Sequence, residues 1–207
     1  MNSIDTLKER RSITFFDSSR TVSRDQLEEL LEVANLSPSS YNLQPWEVIV
    51  VQRPERRRVL RECAFGQAKV EEAPAVFIIV ADPEGIEKNI DDVLKRQVEL
   101  GYITEDKVES TRKMNLEKNG EVDSEKRRIF AVKNTSLFAM SIMVAARGLG
   151  LETHPMDGFS PKKVREAFSI SEMKVIPMLI AVGYPDPDRE LLPRAFRRDL
   201  DSFVRWE

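Results

Sequence analysis

Four separated groups of residues carry side chains that could do chemistry: Arg10–Arg11–Ser12, the stretch Ser37–Pro38–Ser39–Ser40–Tyr41–Asn42–Leu43–Gln44–Pro45–Trp46, the run Pro155–Met156–Asp157–Gly158–Phe159, and Arg197–Arg198. Guanidinium groups beside a hydroxyl offer forked N–H donors suited to an oxyanion. The plain alternative for Arg10 and Arg11 is a solvated helix end whose cations complement the helix dipole. The Ser37–Trp46 stretch is dense in hydroxyls and amides, and Pro38 and Pro45 each fix one φ, so its backbone has few conformations open to it. A rigid polar loop of this kind positions hydrogen-bonding groups, although a solvated turn would use many of the same residues.

Composition narrows what these groups can be for. Cys63 is the only cysteine and His154 the only histidine, which excludes an internal disulfide and a Cys/His zinc site. Cys63 reads as a core residue, since no activating cation and base can be placed beside it. The net charge is −3, so nothing in the global balance favours nucleic acid or an anionic membrane. Met1–Arg11 alternates charged and apolar residues, unlike a secretory leader, and the apolar run Ala75–Ala81 is too short to span a bilayer. The expectation is a cytoplasmic protein with no membrane or nucleic-acid partner, forming one domain over 1–207 with a helical excursion at about 83–122. No strand precedes a G-x-G-x-x-G turn, so a dinucleotide-binding domain is not expected.

The elements that must position these groups follow from periodicity. Ile4 and Leu7 predict a short helix ending near Arg10 to Ser12, followed by an extended Ile13–Phe16. Ser23 with Gln26 is a capping box opening a helix to about Asn35, whose Leu27, Leu30, Leu31 and Ala34 share a face. After the rigid loop, Trp46–Gln52 predicts a strand, and Pro54 opens a charged helix with Val59, Leu60 and Cys63 inward. Val76–Ala81 is apolar throughout, as in a strand covered on both faces at the sheet centre. Residues 83–119 are helix-forming but highly charged, with apolar residues too sparse for burial, so they read either as a solvated flap or as a lid. Ser124 begins the longest helix, to about Arg147, and Thr135–Ala146 is small or apolar nearly all round, which predicts burial on several sides and suggests a partner subunit. A strand at Leu151–His154 leads into the Pro155–Phe159 run, and Ser160–Pro161 opens another helix. Lys174–Val182 is a strand interrupted by Pro177, which points to an edge or a bulge. The tail from Leu191 has no core of its own and must dock to be ordered. The mixture predicts an α+β sandwich with helices on both faces of one sheet.

The four groups, in this order and over almost the whole chain, resemble the FMN-dependent nitroreductase family. In that family a helix-end Arg-Arg-Ser, a Ser-Pro-Ser-Ser-x-Asn-x-Gln-Pro-Trp loop and a Pro-x-x-Gly-Phe loop surround the flavin. The resemblance implies a three-layer α/β/α sandwich with a central mixed sheet, a buried dimer-interface helix and an exchanged C-terminal tail. It implies that Arg10, Arg11, Ser12 and Thr14 approach the phosphate, ribityl chain and pyrimidine edge of FMN, with Arg194 and Arg197 joining from the tail. Thr14 stands where the family usually has a longer polar or basic residue, and Gly66 where many members have asparagine. Pro38, Ser39, Ser40 and Asn42 would come from the partner subunit. Gln67 and Lys69 would reach the pyrimidine side of the ring, where a cation stabilises charge on the reduced flavin. Pro155, Met156, Asp157 and Gly158 would pass over the other face, Gly158 permitting close approach.

The activity implied is an oxidoreductase, homodimeric with shared FMN sites, that takes hydride from NADH or NADPH and reduces nitroaromatics, quinones or similar flat small-molecule electron acceptors by a ping-pong cycle. No catalytic side chain and no metal are implied, because the flavin carries the chemistry. Two other readings stay open at this level: a related flavoprotein with another reaction, such as ene-type reduction or dehalogenation, and a flavin-binding or storage homodimer.

Overall fold

The strand β2 (Ala75–Ala81) is buried along its whole length, and the other elements are arranged on its two sides. In this computed structural model, which describes residues 2–207, β2 lies inside a four-stranded sheet of order β1-β2-β4-β3, where β1 is Trp46–Val51, β3 Glu152–Met156 and β4 Val175–Gly183. Successive side chains of a strand point to opposite faces, and β2 shows this directly. Val76, Ile78 and Val80 join Leu60, Val70, Val164 and Leu179 in one core, covered by α3 (Pro54–Cys63), α4 (Lys69–Glu72) and α8 (Pro161–Phe168). Ala75, Phe77 and Ile79 join Leu30, Phe138 and Ile142 in the other, covered by α2 (Arg24–Ala34) and α7 (Glu125–Gly148). The result is a three-layer α+β sandwich.

The resemblance implies a mixed sheet, whereas the four named strands pair antiparallel throughout. The chain leaves β1 at Val51 and re-enters β2 beside it, with Val51 opposite Val76, so the connection through α3 and α4 returns to the same end of the sheet and the strands must oppose. The parallel contribution among the described residues is the isolated bridge Ser12–Thr153. Pro177 lies within β4, an internal strand. It is accommodated by a bulge: from Ile79 to Ala81 on β2 the partner residues run from Met178 back to Val175, one residue more.

Caps fall where the side chains dictate. Ser23 and Gln26 form a reciprocal capping box on α2, and Ser124 and Ser160 accept from the N–H groups of Arg127 and Lys163 at the starts of α7 and α8. The segment after β2 contains α5 (Gly85–Glu99) and α6 (Val108–Asn119). The sequence suggested too few apolar residues here for burial. The structure corrects this, because Ile86, Ile90 and Leu94 recur on one face of α5 and pack on Leu43 and Phe130. By contrast, α6 buries only Asn115 and Asn119.

The long helix α7 is the one helix among the described residues long and apolar enough to cross a membrane. Over half of that stretch, 56%, is buried, and its inner face packs on the sheet and α2 as a core helix does. Burial on several sides, expected from the small and apolar residues, is not complete within one chain. Leu137 and Met140 remain exposed, as do Val33 and Leu36 on and beside α2. The tail beyond Leu191 is mostly exposed, with Phe196 and Trp206 each 80% accessible.

Candidate functional site

The helix α1 (Ser3–Glu9) stops at Arg10, which turns extended (φ −51°, ψ 128°) while its N–H still donates to Thr6 O. The chain then lies against β3: Ser12 bridges Thr153, Ile13 N–H donates to Thr153 O at 3.0 Å, and His154 Nδ1 is 2.7 Å from Ile13 O. With that carbonyl as its partner, Nδ1 carries the proton in the neutral ring. Burial holds the His154 pKa below its ordinary value against the pull of the Ile13 carbonyl, and Lys69 nearby lowers it further.

Cations gather at this end of the sheet. Arg194 reaches back from the tail and donates to Arg10 O at 3.3 Å and to Lys8 O, and Arg11 Nη2 donates to Leu192 O at 2.6 Å. Burial lowers the Arg10 pKa; repulsion from Arg194 and Arg197 adds to this, and Glu152 opposes it. Glu152 is already engaged by Arg147, whose other guanidinium nitrogen is 2.8 Å from Glu9. Arg10 Nη1 is buried and has no hydrogen-bond partner. Arg197 donates only to the backbone carbonyls Ala195 O and Phe196 O, at 3.1 and 3.0 Å.

A second set of donors adjoins the first. Phe65 and Gly66, both at positive φ (56° and 78°), turn the chain after α3. Gln67 Nε2 then donates to Gly158 O at 2.6 Å and Ala64 O at 3.2 Å, while Lys69 Nζ donates to Gln67 Oε1 at 3.1 Å. Burial pushes the Lys69 pKa down, with Glu72 opposing. A Cβ on Gly158 would stand 3.1 Å from Gln67 Nε2, tighter than an ordinary contact, so this pairing favours glycine. Pro155 and Met156, expected in the loop, are the last residues of β3, paired with Ile180 and Leu179, and Met156 is buried. Asp157 and Gly158 are exposed just beyond them, as is Thr14.

The Ser37–Trp46 loop stands elsewhere. Thr135 Oγ1 and Asp82 N–H both donate to Pro45 O, at 3.1 and 2.9 Å, and Asn89 Nδ2 donates to Leu43 O and Gln44 O. Ser40 N–H donates to Asn134 Oδ1 at 2.9 Å, Gln44 N–H to Ser39 Oγ at 3.0 Å, and Ser37 Oγ to Ser141 Oγ at 2.6 Å. Tyr41, Asn42 and Gln44 hold φ of 57°, 58° and 46°, a left-handed cluster without glycine that these contacts sustain. Pro38 lines a shallow cavity with Leu36, Met140 and Val144.

The sheet register separates the two regions. The loop enters β1 at Trp46, opposite Ala81, whereas His154 aligns through Ala181 and Val76 with Val51 at the far end. Five residues along a strand and three strands across put them about 20 Å apart. One chain therefore brings together Arg10–Thr14, Gln67, Lys69, Asp157–Gly158, Arg194 and Arg197, and does not bring Pro38, Ser39, Ser40 or Asn42 to them. His154 was noted in the sequence only for being unique; the signal that could have marked it is its position one residue before Pro155.

This arrangement fits a ligand with a multiply charged oxyanion at one end and a flat polar body. Arg194 and Arg197 lie close enough to Arg10 to repel its charge, and Arg10 Nη1 is buried and unpartnered, an electrostatic cost that an oxyanion would offset. Lys69, Gln67 and the side-chain-free edge at Gly158 adjoin the Arg10–Thr14 segment through His154, which contacts Ile13 O and feels the charge of Lys69. A cavity of about 680 Å³ lies elsewhere, beside Ile129 and Val175 at the start of α7.

The chain is similar to known proteins over nearly its whole length. It is 34% identical over 197 residues to a Thermus thermophilus protein named NADH dehydrogenase, covering 95% of this chain and 92% of that one. It is 36% identical over 183 residues to YodC of Bacillus subtilis, provisionally named an NAD(P)H nitroreductase, covering 88% and 89%. Among solved structures, one from Exiguobacterium sibiricum, provisionally named a nitroreductase and in complex with FMN, superposes with a TM-score of 0.88 at 25% identity, covering 100% of this chain and 98% of that one. Another, the B. subtilis protein ydfN, reaches 0.89 at 27% identity, covering 99% and 98%. A family profile described as the Nitroreductase family matches residues 7–184, a span that holds the Arg10–Ser12 turn, the rigid loop and the Gln67–Gly158 contact alike, and the chain belongs to that family.

Proposed function

We propose that this protein is an FMN-dependent oxidoreductase that uses NADH or NADPH to reduce nitroaromatics, quinones or similar flat acceptors. The observation that carries the proposal is the buried, unpartnered Arg10 Nη1 beside the charges of Arg194 and Arg197, on a segment whose Ile13 O meets His154, which in turn feels the charge of Lys69. FMN, when bound, supplies a two-electron carrier that takes hydride from the nicotinamide and passes it to the acceptor in a ping-pong cycle.

The chain's residues have distinct parts in this reading. Arg10, Arg194 and Arg197, with Ser12, neutralise the phosphate, and Arg11 ties the tail to α1 through Leu192 O. Lys69, oriented by Gln67, would supply a cation to the negative charge of the reduced flavin, and the burial that lowers its pKa would strengthen that interaction. His154 fixes the Arg10–Thr14 segment against β3 through Ile13 O. Thr14 contributes at most its short hydroxyl.

The register puts the end of the loop at Trp46 about 20 Å from His154, which contacts the Arg10–Thr14 segment, so Pro38, Ser39, Ser40 and Asn42 are assigned to the site of a second copy. This favours a homodimer in which the exposed stripe Leu137, Met140, Val33 and Leu36 is covered and the tail beyond Arg198, with the exposed Phe203 and Trp206, is exchanged. The protein is read as cytoplasmic, acting as one FMN-binding domain with α5 and α6 as an excursion beside the loop. The test is flavin retention after dialysis. Arg10→Ala and Arg197→Ala lose FMN, whereas Arg205→Ala, which removes a surface pair with Glu207, retains it. Equal retention in all three variants overturns the phosphate assignment.

A further inference from the structure

Between the rigid loop and α5 lies a groove of about 440 Å³ whose walls include Tyr41, Asn42, Arg96, Leu100 and Tyr102. Its features are unusual for an idle surface. Tyr41 is held in the left-handed region (φ 57°) in the company of Asn42 and Gln44, and so much local strain persists only where surrounding contacts maintain it. One such contact is Lys118 of α6, whose Nζ lies 2.5 Å from Tyr41 Oη and 5.2 Å from the ring centroid. Among the described residues no carboxylate lies within 4.0 Å of Lys118, so its charge is uncompensated by an ion pair. Arg96 opens onto the same groove with only Glu99, an exposed i,i+3 neighbour, at 2.8 Å. Tyr102, 77% exposed, and Leu100, 55% exposed, leave apolar surface unpartnered in the same groove.

We propose that this groove binds a planar aromatic acceptor bearing an anionic substituent such as a carboxylate. The ring lies between Tyr41 and Tyr102, and the anion is met by Arg96 on the wall, with Lys118 adding its charge from beside Tyr41. Asn42 belongs both to this wall and to the residues assigned above to the flavin of a second copy, which makes the groove continuous with that site. The inference therefore rests on the proposed function for its role in turnover, though not for binding itself. It selects among flat acceptors by charge: Arg96 lines the groove, Lys118 adjoins it at Tyr41, and Glu99 beside Arg96 is the one carboxylate paired with either, so an acidic aromatic is favoured over its neutral ester.

The test compares 4-nitrobenzoate with methyl 4-nitrobenzoate on the protein as purified, with its flavin. Equilibrium dialysis gives the ratio of their dissociation constants, and steady-state reduction gives the ratio of kcat/KM. Arg96→Gln and Lys118→Gln each reduce the preference for the carboxylate by roughly three- to tenfold, the range for a charge pair between exposed and partly desolvated. Tyr102→Ala weakens both ligands alike, and Lys162→Gln on α8, far from the groove, leaves the ratio unchanged. A dialysis ratio of one, or a ratio unmoved by both charge-neutralising substitutions, overturns the proposal. If dialysis shows the preference but nicotinamide does not reduce the protein's flavin, the groove assignment stands and the proposed function fails, so the two are separable.

Discussion

Arg127 offers the sharpest mechanical prediction. Its side chain is 2% exposed, yet it sits on the first turns of α7 and reaches both ends of the α5–α6 excursion. It donates to Pro83 O at 3.0 Å where the excursion begins, to Gly120 O at 2.5 Å where it ends, and to both carboxylate oxygens of Glu87 at 2.8 and 2.7 Å. Arg127→Leu removes a buried cation and leaves a carboxylate and two carbonyls without their donor. Breaking a buried pair costs about 3–5 kcal/mol, and because Glu87 is 40% exposed and can rehydrate, the lower end applies. A loss of about 3 kcal/mol directed at one segment increases its opening equilibrium by roughly two orders of magnitude. Hydrogen exchange followed residue by residue is the assay. Amides of α5 and α6 exchange about a hundredfold faster in the variant, while those of β2 and β4 change far less. Protection in α5 and α6 that matches the unaltered protein, or a loss spread uniformly over the sheet, refutes the reasoning that Arg127 bolts the excursion at its base.

Other consequences are more local. Gly85→Ala places a Cβ 2.8 Å from Pro45 Cα, a backbone atom that cannot swing aside, so chemical denaturation shows a loss of about 1–3 kcal/mol; an unchanged midpoint contradicts the packing described. Gly158→Ala displaces the Gln67 amide from Gly158 O, and titration calorimetry of the flavin-depleted protein shows FMN affinity reduced by roughly fivefold, or about 1 kcal/mol. The folded pKa of His154 lies below its ordinary 6.5, so the unfolded chain binds the proton first and stability falls as pH drops below about 6.5 toward the folded value. Urea unfolding of His154→Gln shows a shallower decline over that window, and identical slopes remove His154 as the cause. Lys88 works in the opposite direction. Its ion pairs with Asp82 and Glu84 outweigh its desolvation and raise it to about 12, so their contribution is present below pH 10.5 and is lost as pH rises through about 12. It is small, because Lys88 is 47% exposed.

Much of this architecture was legible in the residues. Ser23 with Gln26, Ser124, and Ser160 with Pro161 mark helix starts because their side chains supply acceptors, or in proline's case the φ, that a first turn needs. The wholly apolar Ala75–Ala81 could only be a strand covered twice. What local pattern hid is tertiary. Three apolar residues on α5, diluted by charge, become a buried face only because Leu43 and Phe130 meet them. Pro177 is tolerated in an internal strand because a bulge absorbs it, and the pairing that creates the bulge is set by residues about a hundred positions away. The site divides in the same way. Arg10, Gln67, Lys69 and Gly158 converge, as the motifs suggested, but the distance between them and the rigid loop follows from sheet register, which no motif encodes. The parts played by His154 and Arg127 are not legible in the sequence, because a lone imidazole and a lone arginine acquire meaning only from the carbonyls they reach.

The most direct measurement is the visible absorption spectrum of the purified protein, taken without oxygen before and after adding NADH or NADPH. The account predicts the bands of oxidised flavin, lost rapidly on addition of one of the two nicotinamides and restored by a nitroaromatic or quinone. A protein that contains no flavin and does not take up added FMN contradicts it.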